Sequence, residues 1–132
     1  MLSEAQSKLI SLKARAMALQ NRLTDLEQQR NNGIIDEGRF ALLAGHLDQQ
    51  RIAILMELQQ ATAGKDPAFD SVVNSALEKA PDEQVGAGLA KVADEKGLGT
   101  EIKEGIKEHR GAIISTIIDV GLGLLGKAAG AG

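Results

Sequence analysis

The sequence contains no cysteine, tryptophan or tyrosine, and only two phenylalanines and two prolines. Without cysteine there is neither a disulfide framework nor a thiolate metal site, so a small secreted scaffold loses its usual support. A reducing cytosol and a virion are both compatible with such a chain. The N-terminal stretch MLSEAQSKLISLK lacks the basic region followed by an apolar run that a secretory signal needs, so export by that route is not expected. Charge of one sign is missing as well. Residues 1–62 hold seven basic and seven acidic side chains, residues 63–99 four and seven, and residues 100–132 four and four, for a net charge of −3. A protein that neutralises many phosphates needs a basic stripe, so nucleic acid is not an expected partner.

What the first half does contain is the vocabulary of long helices: Ala, Leu, Gln, Glu, Lys and Arg. In residues 2–31 a heptad can be written with Leu2, Leu9, Ala16 and Leu23 at one seam position and Ala5, Leu12, Leu19 and Leu26 at the other. All eight are apolar, and Lys8, Lys13, Arg15, Arg22 and Glu27 flank them, as a coiled-coil seam requires. Burying each leucine contributes about 1.5–3 kcal/mol, provided that another helix covers it. The seam Leu2, Leu9, Leu12, Leu19, Leu23 and Leu26 is therefore the candidate oligomer interface. A second helical pattern runs from about Asp36 to Thr62, with Phe40, Leu43, Leu47, Ile54 and Leu58 on one face, after the break Asn31-Asn32-Gly33. A short connection between two amphipathic helices predicts an antiparallel hairpin.

The run Gly33-Ile34-Ile35-Asp36-Glu37-Gly38-Arg39-Phe40 resembles the turn of the SHOCT family of short helical modules: a glycine, an isoleucine two residues on, an acidic helix start and then an aromatic. It covers about residues 23–43 and departs from that pattern at Gly38, where the family usually has an acidic helix former. The resemblance implies a small helical hairpin associated with oligomerisation, and no chemistry.

Asp66-Pro67 is an N-cap followed by proline at the first helical position. Phe69, Val72, Val73, Ala76, Leu77 and Ala80 then predict a short amphipathic helix stopped by Pro81. Val85, Leu89, Val92 and Ala93 mark a weaker helix from about Asp82 to Lys96. Gly86 and Gly88 cost that helix about 1 kcal/mol each relative to alanine. After Gly97-Leu98-Gly99-Thr100 a last helix is expected from Glu101, through Ile102 and Ile106 to Leu124. No strand pattern is present. The expected class is all-α: a coiled-coil helical hairpin over 1–62, a short-helix connector over 63–99, and a C-terminal helix with a hydrophobic Gly/Ala-rich tail over 100–132.

Catalytic constellations are missing. His46 and His109 lie apart, without ligand spacing beside them. The pairs Asp36-Glu37 and Asp82-Glu83 sit at helix starts, where the helix dipole favours carboxylates. Gly121, Gly123 and Gly126 have dinucleotide-loop spacing, but neither a strand precedes them nor a ribose-binding acid follows. No enzyme activity, cofactor, metal or small-molecule substrate is expected.

The tail is the remaining question. Gly111 to Gly126 spans about 24 Å as a helix, short of the roughly 30 Å hydrocarbon core. Isoleucine, valine and leucine each favour insertion by about 0.3–0.6 kcal/mol, and a central Asp119 opposes it by about 2.5–3.5. On a helical wheel Ser115, Asp119 and Gly123 form a narrow stripe among Ile113, Ile114, Ile117, Ile118, Leu122, Leu124 and Leu125. Such a helix suits an oligomeric bundle, or a membrane in which the stripe faces a shared interior.

The leading expectation is therefore a non-enzymatic, homo-oligomeric helical assembly protein with a membrane-interacting C-terminal helix. In general character, not by motif, it is similar to bacteriophage DNA-pilot and internal ejection proteins, which implies a tube-forming virion component. A small membrane-active pore or lysis protein, and a cytoplasmic coiled-coil adaptor or secretion chaperone, are the alternatives.

Overall fold

Each of the first three helices starts where the sequence supplies a cap. In the computed structural model, which describes residues 3–98 and 113–128, α1 spans Glu4–Asn31. The Ser3 hydroxyl accepts the Gln6 N–H at 3.0 Å, and the Gln6 side chain accepts the Ser3 N–H at 2.9 Å, a reciprocal capping box. Helix α2, Glu37–Thr62, starts under Asp36, whose carboxylate accepts the Arg39 N–H at 2.7 Å. Helix α3, Pro67–Leu77, starts under Asp66, which accepts the Phe69 N–H at 2.9 Å. Helix α4, Asp82–Glu95, follows Pro81 without a side-chain cap, and α5 spans Ile113–Ala128. The chain is all-α, with five helices and no strand among the described residues.

The ends of α1 and α3 follow one backbone pattern. At the end of α1, the Ile34 N–H donates to the Gln29 carbonyl at 2.9 Å and the Gly33 N–H to Arg30 at 3.1 Å, with Gly33 left-handed at φ +73°. The end of α3 repeats this, with the Ala80 N–H on Ser75 and the Lys79 N–H on Ala76, but the left-handed residue is Lys79 at φ +62°. A lysine there carries a steric strain of about 1–2 kcal/mol that glycine avoids. This turn also corrects the expected extent of α3, which stops at Leu77 rather than Ala80. Pro81 disfavours a helical residue before it, and the chain reverses one turn early.

Helices α1 and α2 pack side by side; α5 lies against α1, α4 and α2, and α3 against α2 and α4. All five contribute to one apolar core, including Leu9, Leu12, Leu55, Leu58, Phe69, Val73, Leu89, Ile117 and Ile118. Residues of α1 and α2, of α3 and α4, and of α5 meet in that core. At the far end of the α1–α2 pair, Leu26 is buried outside the main cluster, and the Arg30 guanidinium stacks over the Phe40 ring at 4.1 Å.

Two glycines exist for this packing. A Cβ on Gly121 would lie 3.0 Å from Leu9 Cδ2 and 3.1 Å from Phe69 Cζ, so α5 sits close to both elements only because the side chain is absent. A Cβ on Gly88 would lie 2.9 Å from Val72 Cγ2. The helix-weakening glycine of α4 is thus where α3 and α4 approach.

Candidate functional site

Two surfaces hold the residues singled out in the sequence and a third emerges from the fold; the first is α5 itself. Ile114, Ile117, Ile118, Leu124 and Leu125 are buried, and Leu122 is half-buried against the same core. Ser115, Asp119 and Gly123 lie half-buried along the edge of the helix. The Asp119 carboxylate takes the Lys13 ammonium at 2.6 Å, so the stripe's charge is met by the chain's own α1. The side chain of Ile113 lies outside the described residues, as do Glu101, Ile102, Ile106 and His109.

The heptad seam is the second. Leu9, Leu12, Leu19 and Leu26 are buried and Leu23 is half-buried, while Leu2 lies outside the described residues. These side chains are covered from within the chain, α1 being flanked by α2 and α5. In this fold the described seam leucines therefore face the chain's own helices. Periodicity identifies the buried face of a helix, whereas the identity of its cover is a tertiary matter.

The outward faces of α1 and α2 are the third. Ile10 and Met17 stand on α1, one turn either side of Lys13, and are about half exposed. Leu42 at 56% and Met56 at 51% stand on the outside of α2, and Ile34 at 69% projects from the turn. Seven-residue spacing of Ile10 and Met17 was visible in the sequence, but it runs in the same period as the seam and only burial separates the two.

A groove of about 610 Å³ lies where α1 and α2 leave the core, between Leu19, Leu23 and Leu47, the turn Lys79–Asp82 and the start of α5. Its wall carries Asp48, which accepts Arg51 Nε at 3.0 Å and Lys79 Nζ at 3.1 Å. Burial pushes the Asp48 carboxyl up, but the hydrogen bonds and charges of Lys79 and Arg51 outweigh it and hold the group below the usual carboxylate range. With the two cations matched, the groove presents mainly apolar surface. The Ser115 hydroxyl on its wall is buried without a hydrogen-bond partner.

Three further ion pairs tie the helices together. Glu57 on α2 takes Lys8 and Arg15 of α1, each at 2.6 Å, and these partners lower its pKa. Asp66, 4% exposed, takes Lys96 at 2.9 Å from the end of α4. Burial alone would raise the Asp66 pKa; the Lys96 ammonium and the Phe69 N–H turn the balance and lower it. The capping role of Asp66 was legible from Asp-Pro, but the Lys96 pair, 30 positions away, left no local signal.

Among the described residues, no group of three or more His, Asp or Glu side chains is placed to hold a metal ion, and no helix is long and apolar enough to cross a membrane. No family model, curated protein or solved structure matches this chain.

Proposed function

We propose that the chain is a non-enzymatic helical assembly protein that associates with copies of itself through the outward faces of its α1–α2 hairpin. One observation carries the reading. All five large apolar side chains left exposed among the described residues, Ile10, Met17, Ile34, Leu42 and Met56, belong to α1, α2 or the turn between them. Exposed apolar groups gathered on one structural unit, while α3, α4 and α5 bury theirs, are the pattern of an interaction surface. The SHOCT-like turn at Gly33 to Phe40 agrees with a hairpin that mediates association, and the similarity in character to internal virion proteins suggests a bundle or tube as the product. In this reading the coiled-coil periodicity of α1 serves the monomer's core and the outer faces serve the assembly.

Sedimentation velocity of the full chain over a hundredfold concentration range tests it. A mass that rises reversibly with concentration is expected. A monomer throughout overturns the proposal.

A second reading rests on α5. Its Ile114, Ile117, Ile118, Leu124 and Leu125 are enclosed by the other helices, and its half-buried edge is tied to α1 by the Lys13–Asp119 pair. A chain that released α5 would present an apolar helix to lipid, too short to span alone but suited to a membrane-interacting role. Dye release from phosphatidylcholine–phosphatidylglycerol vesicles by the full-length protein is the expected sign of this activity. Vesicles that stay intact at excess protein remove it.

A further inference from the structure

The outer face of α2 is a stripe of unusual chemistry. From Gly38 to Gln60, about 33 Å of helix, the residues pointing outward are Gly38, Leu42, Gly45, Gln49, Ala53, Met56 and Gln60, all exposed and none charged. Of their exposed neighbours, Ala41, His46 and Gln50 carry no fixed charge, and Arg39, near the start of the helix, is the charged side chain on the flank. A quarter of the chain is Asp, Glu, Lys or Arg, and a solvated helix face normally carries a large share of such residues.

Gly45 is the second, independent sign. It sits inside a long helix, where glycine costs about 1 kcal/mol relative to alanine. Gly88 and Gly121 have packing reasons within the chain, but a Cβ on Gly45 would meet nothing within 4 Å. Its φ is not in the left-handed region that would require glycine. Gly45 borders the groove beside Ala44, but neither packing within the chain nor backbone geometry requires a glycine there, whereas close approach by a second backbone from outside does.

The order of residues along the stripe names that second backbone. Reading outward from Gln49 in both directions, Gly45 is matched by Ala53, Leu42 by Met56, and Gly38 by Gln60, each pair equidistant from Gln49. We infer that two copies of this chain pair through α2, antiparallel, about a two-fold axis at Gln49. The inference rests on the self-association proposed above and assigns its interface. In that arrangement Gly45 of one copy faces Ala53 of the other, so the helices close in near the axis, and Leu42 packs on Met56 one turn further out. Gln49 meets its own counterpart, and an amide, being both donor and acceptor, can pair with itself. A two-fold interface has to be self-complementary, and a neutral stripe meets itself without like-charge repulsion. Anionic lipid or nucleic acid would call for a row of cations, and Arg39 alone flanks this stripe.

Because the chain has no cysteine, the axis can be tested directly. Gln49→Cys should give a disulfide-linked dimer under mild oxidation, whereas Glu83→Cys, exposed at the start of α4, should not. Gln49→Glu, which places two carboxylates on the axis, should raise the dimer dissociation constant by about tenfold or more. The helical circular dichroism should be unchanged, since the residue is exposed in the monomer. If the mass still rises with concentration but Gln49→Cys fails to cross-link and Gln49→Glu associates normally, the interface is wrong while self-association stands. If the unmodified chain is a monomer throughout, both proposals fall.

Discussion

Helix α5 and the outer face of α2 are both poor in charge, yet the fold treats them in opposite ways. On α5 Ile117, Ile118 and Val120 have no exposure, and the one carboxylate, Asp119, is paired with Lys13. On α2 Leu42 and Met56 stay more than half exposed. The glycines divide the same way, with Gly121 pressed against Leu9 and Phe69, and Gly45 facing open space. Low charge by itself therefore does not say whether a helix face belongs to the core or to the surface. What separates the two is whether neighbouring elements of the same chain can reach it.

The sharpest way to break this comparison is to remove side-chain volume from each helix. Ile117→Ala should lower unfolding free energy by about 3–4 kcal/mol, because the cavity forms among fully buried neighbours. Leu42→Ala should change monomer stability by no more than about 0.5 kcal/mol. Urea melts at a concentration where the monomer dominates read both; equal losses would show that α2's outer face is covered within the chain. The same logic applies to the seam: Leu12→Asp should unfold the monomer rather than merely separate chains, since Leu12 has no exposure.

Adding volume gives a smaller contrast of opposite sign. Gly121→Val should destabilise by about 2–3 kcal/mol, as the new side chain collides with Leu9 and Phe69. Gly45→Ala should stabilise the monomer by about 0.5–1 kcal/mol, through helix propensity without a clash. Thermal melts of the two variants should move in opposite directions.

The gentlest perturbation is pH, which sharpens the contrast between the closed core and its exposed neighbour. The Asp66 carboxyl has a lower pKa in the folded chain than its ordinary value, so the unfolded state binds its proton first. Its contribution is complete above about pH 4, the ordinary carboxylate range, and fades as pH falls through the folded value. Asp66→Ala should cost about 1–2 kcal/mol at pH 7 through the lost cap on α3, and should flatten the acid limb of the stability profile. An unchanged slope between pH 5 and 3 would show that the Lys96 pair does not act in solution.

The sequence by itself determined the all-α class and most helix starts, because Ser3, Asp36 and Asp66 cap by local hydrogen bonds that span three residues. It determined the left-handed turn at Gly33 for the same reason, but not the one at Lys79, where a lysine takes a conformation that its residue type disfavours. It also marked which face of α1 is buried, from Leu9 to Leu26. Only the tertiary structure decided what covers that face, since a period of seven describes one helix and is silent about its neighbour. α5, about a hundred positions away, supplies much of the cover, and the glycine that allows it, Gly121, reads in sequence like part of a tail. Sequence periodicity records the pressure to exclude water from a surface, and contacts between segments distant along the chain decide which surfaces remain for a partner.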